Sequence, residues 1–321
     1  MEILNFVNSF EINIDLALEA RDLIRGTTGQ EIPGVSEEKQ SFSFGTVTKI
    51  KILNKQAESI MGKPQGTYIT IEAPDLKFKS PDVQINVAEV LAQNLRDLLK
   101  ISEKAMVFLI GLGNWQATPD ALGPTVIKYS LVTRHLHLYM PQMVENYRSV
   151  CAFAPGVLGI TGIETAEMIK GIVEKIRPDV IITIDALAAT NISRLGTTIQ
   201  IGDTGIAPGS GVNNKRMGIN HDTMGVPVIA IGVPTVVNAA MIARVTLENY
   251  HRKFTRGDRF LNPLLANEII EELLGPFQGN LIVTPREIDE LILNAGRTIS
   301  RGITLALHPD VAEEDLEALL C

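Results

Sequence analysis

A three-layer α/β/α fold, built on a mostly parallel sheet with antiparallel additions, follows from three features of the sequence. Met106 to Ile110 (MVFLI), Asp179 to Ile184 (DVIITI) and Val226 to Val233 (VPVIAIGV) are short and continuously apolar, as strands buried on both faces are. Helical repeats lie between them: Leu122, Val126, Tyr129 and Val132 share one face, as do Ile163, Ala166, Ile169, Ile172, Val173 and Ile176. Strand and helix in alternation imply right-handed crossovers, and hence a parallel sheet covered by helices on both sides.

Taken in order, Ile14 to Arg25 (IDLALEARDLIR) spaces Leu16, Leu18, Leu23 and Ile24 for a short helix. Gly26 to Lys39 is polar and turn-rich and reads as a loop. Phe42 to Asn54 and Thr67 to Ala73 are rich in Val, Ile, Thr and Phe and read as two antiparallel strands. Val87 to Leu99 repeats at helical spacing, and Asn262 to Leu307 is mainly helical. No internal repeat, low-complexity tract or interdomain linker interrupts the pattern.

Composition narrows the function. Hydrophobic residues make up 45% and charged residues 21% of 321, enough for an ordinary core. The net charge of -8 and an aromatic content of 5% argue against nucleic-acid binding, which uses basic surfaces and stacking platforms. Two cysteines, Cys151 and Cys321, make neither a disulfide framework nor a zinc cluster. Cys151 sits in an apolar setting that raises a thiol pKa, so a structural role is expected for it and a dispensable one for Cys321. No basic-then-apolar N-terminal stretch and no run of about 18 apolar residues is present. A soluble cytoplasmic protein without membrane or nucleic-acid partners is the expectation.

Several short patterns fail on inspection. Gly111-Leu112-Gly113 follows a strand, but the third glycine of a dinucleotide fingerprint is replaced by Gln116. Gly209 to Arg216 lacks the Gly-Lys-Ser/Thr ending of a phosphate loop, and Ser210 lacks the G-x-S-x-G context of a nucleophile elbow. His135 and His137 point apart on a helix. Asp203-Thr204-Gly205 matches the pepsin triplet, yet a single triplet in an α/β chain is better read as a turn with a capping Asp and a glycine at positive φ.

Two aspartates are placed more tellingly. Asp120 lies in the loop after the first buried strand, and Asp185 directly follows the second. Ligands of open α/β sheets bind outside the carboxyl ends of the strands, so both carboxylates are expected at one rim. A helix N-cap accounts equally well for Asp120, and a bond to a loop amide for Asp185.

Long blocks then point to a family. Gly111–Pro124 (GLGNWQATPDALGP), Leu131–His135 (LVTRH), Pro155–Thr165 (PGVLGITGIET), Ile184–Ala189 (IDALAA), Thr198–Arg216 and Pro227–Val237 (PVIAIGVPTVV), in this order, resemble the germination proteases of endospore-forming bacteria. The resemblance runs from about Ile14 to Ala240, is dense over these blocks, and is weaker after about Leu247. It implies an atypical aspartic endopeptidase that degrades small acid-soluble spore proteins in the forespore or spore core. It also implies a fold similar to hydrogenase-maturation endopeptidases, with Asp120 and Asp185 as catalytic residues, no cofactor, a homotetramer, and synthesis as a zymogen that trims its own N-terminus. Two nearby carboxylates sharing one proton can activate water and polarise the scissile carbonyl, and glycines 202, 205, 209 and 211 could supply oxyanion donors.

The resemblance further implies that substrates are cut after an acidic residue followed by an aliphatic one, Ala, any residue and Glu. Asp15-Leu16-Ala17-Leu18-Glu19 repeats that pattern, so self-cleavage between Asp15 and Leu16 is expected, dividing the chain into a propeptide (1–15) and a protease domain (16–321). An ordinary amphipathic helix is the plainer account of the same residues. Two rivals stand beside the aspartic reading. One is a metal-dependent maturation-type endopeptidase using Asp120, Asp185 and either His135 or His221; the other is an inactive scaffold.

Overall fold

The computed structural model describes residues 6–7, 9–28, 30–206, 217–254, 262–277 and 281–311. Its strands are β1 (Val35–Phe42), β2 (Gly45–Ile52), β3 (Gly66–Glu72), β4 (Val107–Gly111), β5 (Val150–Phe153), β6 (Val180–Ala189), β7 (Thr198–Gly202), β8 (Val228–Asn238) and β9 (Ile282–Val283). The helices are α1 (Ala17–Thr28), α2 (Lys55–Met61), α3 (Pro81–Leu99), α4 (Leu122–Tyr129), α5 (Arg134–Tyr139), α6 (Leu158–Thr161), α7 (Thr165–Ile176), α8 (His221–Met224), α9 (Ala239–Phe254), α10 (Pro263–Leu274) and α11 (Ile288–Leu307). One sheet runs β1-β2-β3-β7-β8-β6-β4-β5, with β9 pairing β8. β5, β4, β6 and β8 are parallel neighbours. β7 is antiparallel to both β8 and β3, and the β1–β3 meander is antiparallel throughout.

The continuous apolarity of the parallel strands is divided residue by residue between two layers. Val107 and Leu109 of β4 pack with α3 and α11, while Phe108 and Ile110 pack with Ala166, Ile169 and Val173 of α7. Side chains alternate across a strand, so each face needs its own apolar supply. The three-layer fold expected from the sequence is therefore present. α11 is buried along most of its length because it lies against both α3 and α4. Its Gly302 faces Leu91 and the Ala88 carbonyl at a distance that leaves no room for a Cβ.

Several local expectations are corrected. The stretch read as a loop over 26–39 contains the start of β1, whose VSEEKQSF sequence is polar because it forms an exposed edge strand. The third continuous run begins a longer strand, β8, and the second extends five residues beyond Ile184, to Ala189. Val132 and Ile163 fall outside α4 and α7 and are exposed, because those helices end at Tyr129 and begin at Thr165. β5 and β7 were not expected. Among the described residues, no helix is long and apolar enough to cross a membrane.

Candidate active site

β6 outruns β4. The two strands pair as far as Gly111 opposite Ile184, and the Leu112 N–H still donates to the Ile184 carbonyl at 2.8 Å before the chain turns away. Among the described residues, β6 from Asp185 onward pairs only with β8, and no strand lies along its other edge. Successive amides on one edge of a strand alternate, and the next three are each taken by a carboxylate. Ala186 N–H donates to the Asp185 side chain itself at 2.9 Å. Ala188 N–H donates to Asp15 at 2.8 Å, and Thr190 N–H donates to Glu19 at 2.9 Å. The β6–β8 register slips between Leu187 and Ala188, the kind of bulge that re-aims backbone groups beside functional sites.

The loop after β4 returns Asp120 to this edge. Asn114 N–H donates to the Asp120 carbonyl at 2.9 Å. Gly113, at φ 110°, comes so close to that carbonyl that a side chain would collide with it. Gly111 and Gly123 similarly let β4 and α4 touch backbone to backbone. The Gly-Leu-Gly sequence thus serves close packing. Asp120 does not cap α4: Ala121 holds the N-cap position and no side chain caps the helix. Asp185 lies within β6, six residues into it, instead of after its end.

Asp120 and Asp185 both line a cavity of about 960 Å³, and Asp15 lines it too. Asp185 is only 9% exposed. Burial first, then the charges of Asp120 and Asp15, push its carboxyl well above the usual carboxylate range, and the Ala186 N–H opposes this only in part. Burial also raises Asp15, against the charge of Lys63 and the Ala188 N–H. Asp185 and Asp15, both shifted upward, therefore share one enclosure with Asp120.

The chain around Asp15 is fixed on both sides. The Gln200 side chain donates to the Asp15 carbonyl at 3.2 Å and accepts from the Ala17 N–H at 2.7 Å. One amide group thus brackets the Asp15–Leu16 peptide and satisfies a first-turn donor of α1. Leu16 and Ala17 are fully buried. Glu19 also accepts from Asn191 N–H at 3.2 Å and lies 3.4 Å from Arg194 Nε. The helical reading of this segment holds from Ala17 onward, with Asp15 just ahead of the helix and in the cavity.

Lys63 and Gln200 were not singled out from the sequence. Lys63 follows Gly62, whose left-handed φ of 62° ends α2 and turns the chain into the cavity wall. Gln200 was legible by alternation: Ile199 and Ile201 pack into the core beneath β7, leaving Thr198 and Gln200 to face the other side. Gly205 has the expected positive φ, 75°, but Asp203 accepts from Thr67 N–H of β3 at 2.7 Å instead of capping its own turn. His135 and His221 are both exposed, and neither lines the cavity. Among the described residues, no group of three His, Cys, Asp or Glu side chains is arranged to hold a metal ion. Gly202 and Gly205 border the cavity, whereas Gly209, Ser210, Gly211 and Cys321 lie outside the described residues.

Comparison with known proteins gives one consistent result. A family model described as germination protease matches residues 14–266 and 260–319. The germination protease of Caldanaerobacter subterraneus subsp. tengcongensis is 50% identical over 320 residues, covering 96% of this chain and 98% of that protein. Those of Clostridium tetani and Bacillus subtilis are 44% and 38% identical, covering 96% of this chain and 99% and 96% of theirs. Among solved structures, a [NiFe] hydrogenase maturation protease, HycI from Thermococcus kodakarensis KOD1, aligns over 58% of this chain and 99% of its own at 17% identity. Its TM-score of 0.30 is too low to carry an argument. The near-complete matches at 38–50% identity establish that the chain belongs to the germination protease family and is a protease.

Proposed function

We propose that this protease is an aspartic-type endopeptidase acting on small acid-soluble spore proteins, and that it first cuts its own chain between Asp15 and Leu16. The observation that carries the reading is the cavity shared by Asp120, Asp185 and Asp15. Asp185, the more deeply buried carboxyl, holds the proton that the pair shares, and the half-buried Asp120 carries the charge. The Asp120 carboxylate takes a proton from water as its oxygen adds to the scissile carbonyl carbon. The Asp185 carboxyl polarises the carbonyl oxygen, and a proton passes to the departing amine as the C–N bond breaks.

Residues 1–15 then act as a propeptide. Phe6, Val7, Phe10 and Ile12 are buried against Val237, Met241, Ile270 and Leu274, and Asp15 occupies the crevice. A tethered segment at such effective concentration excludes a substrate from outside. For the homotetramer, the support is the exposed apolar run Leu138, Tyr139, Met140 and Met143, and sedimentation equilibrium tests it.

The direct test is digestion of a purified small acid-soluble spore protein, with fragments read by mass spectrometry. The parent chain should cut it with or without chelator, and Asp120→Asn should not. Activity lost in chelator and restored by a divalent metal would favour the metal-dependent alternative. Undiminished cutting by Asp120→Asn would remove the dyad.

A further inference from the structure

The dyad accounts for bond breaking but not for the choice of bond, and one cationic side chain in the cavity has no part in the chemistry. Lys63 lines the same enclosure as Asp15 and both aspartates. Its loop is fixed from two directions. The Tyr68 hydroxyl donates to the Pro64 carbonyl at 2.9 Å, and the Thr204 hydroxyl donates to the Tyr68 oxygen at 3.1 Å. The backbone that carries Lys63 is therefore anchored at the cavity wall. The carboxyls that bear on it are Asp15 first and Glu19 second. Glu19 has its own partners in Thr190 N–H, Asn191 N–H and Arg194, which leaves Asp15 as the natural counter-charge of Lys63.

From this arrangement we infer that Lys63 and the Ala188 N–H form the pocket that selects an acidic side chain immediately before the scissile bond. In the intact chain the pocket holds Asp15. Release of residues 1–15 withdraws that carboxylate and leaves a cation and an unshared strand-edge amide facing the dyad. An incoming peptide with Asp or Glu at this position satisfies both groups, whereas Asn forgoes the attraction to the half-buried ammonium and Lys opposes it. Glu19, which remains on the enzyme side of the cut, fixes the register in which the chain presents its own bond. The assignment rests on the proteolytic reading above and deepens it by naming what determines specificity.

A charge-exchange cycle in the full-length chain tests it. Four proteins are compared: the parent, Asp15→Lys, Lys63→Glu, and the double variant carrying both. Each is incubated, and the rate at which Leu16 becomes the N-terminus is followed by mass spectrometry. Each single change should slow that cut at least tenfold, and the double variant should recover most of the loss. A merely structural role for Lys63 would not be rescued by a reversed charge on Asp15. A parent that cuts while Lys63→Glu cuts as fast, or a double variant no faster than the slower single, overturns the pocket alone. A parent that never cuts, in cis or on spore protein, overturns the proteolytic reading and the pocket together.

Discussion

The two sides of the Asp15–Leu16 peptide are held by different forces. Before it, Phe6, Val7, Phe10 and Ile12 are buried against Val237, Ala240, Met241, Ile270 and Leu274 from β8, α9 and α10, with the Arg244 guanidinium stacked 4.5 Å over the Phe6 ring. After it, Ala17, Leu18, Ala20 and Ile24 pack under the meander with Ile50, Ile52 and Tyr68, and buried ion pairs are added. Glu19 meets Arg194, which also lies 3.4 Å from Glu72, and the buried Arg21 pairs with Glu37. An apolar hold is non-directional and becomes reversible once the tether is cut. A buried ion pair ties one backbone position to another, and removing one partner is costly. Cleavage at this point would separate a segment able to dissociate from one pinned to the sheet.

The largest effect should come from the chemistry between the two flanks. Asp120→Asn should slow the cut after Asp15 by about 10³-fold or more, while the melting temperature stays close to that of the uncut parent. A loss of fold in this variant would make Asp120 structural.

Next come the flanks themselves. Phe6→Ala should weaken the first flank by about 3–5 kcal/mol, read as faster dissociation of the 1–15 fragment after cutting, with the melting of the remaining protein unchanged. Glu19→Ala should destabilise the body of the protein by about 1–3 kcal/mol, because it leaves the Thr190 and Asn191 N–H groups without their acceptor, while Arg194 keeps Glu72 and Asp22. If both variants affected the same transition equally, the division into a releasable and a pinned flank would fail.

Acid should distinguish two parts of the molecule by sign. Asp15, Glu19 and Asp185 are all raised by burial above their ordinary values of 3.8 and 4.5. Their contribution to stability is complete below those values and is lost as pH rises through the raised ones. His308 behaves oppositely. Burial, then Arg148 and His137, lower it from 6.5 to about 4. Its contribution is present above 6.5 and is lost as pH falls toward 4, by about 3 kcal/mol. Melting curves from pH 7 to 4 in the uncut Asp120→Asn chain should show Asp15→Asn removing acid stabilisation and His308→Gln removing acid destabilisation. The same slope in both variants would contradict the assignment.

The smallest effect should come from Cys151. Its thiol is half-buried on β5 and raised chiefly by burial. Cys151→Ser should change the cutting rate less than twofold, and thiol reagents should act slowly.

What the sequence revealed and what it concealed follow from the same contrast. Three of the parallel strands, β4, β6 and β8, were legible because burial on both faces makes every residue apolar, as in Val107 to Ile110. β1 was concealed because an edge strand with one partner can be built from Glu37, Glu38, Lys39 and Gln40. The rim carrying Asp120 and Asp185 was legible because both follow such apolar runs. The wall facing it was not. Lys63 sits in a Gly-Lys-Pro turn that nothing local distinguishes, and it reaches the cavity only because α2 ends there. The alternation around Gln200 becomes a signal only once Thr198–Gly202 is known to be a strand, β7, paired with β3 and β8.

The central claim is that Asp120 and Asp185 cut the bond that Gln200 brackets. Mass spectrometry of the full-length chain after incubation at mildly acidic pH tests it most directly, with Asp185→Asn as the comparison. The account predicts a new N-terminus at Leu16 in the parent and an intact chain in the variant. A variant cut at Leu16 as fast as the parent, or an uncut parent already fully active on spore protein, would contradict it.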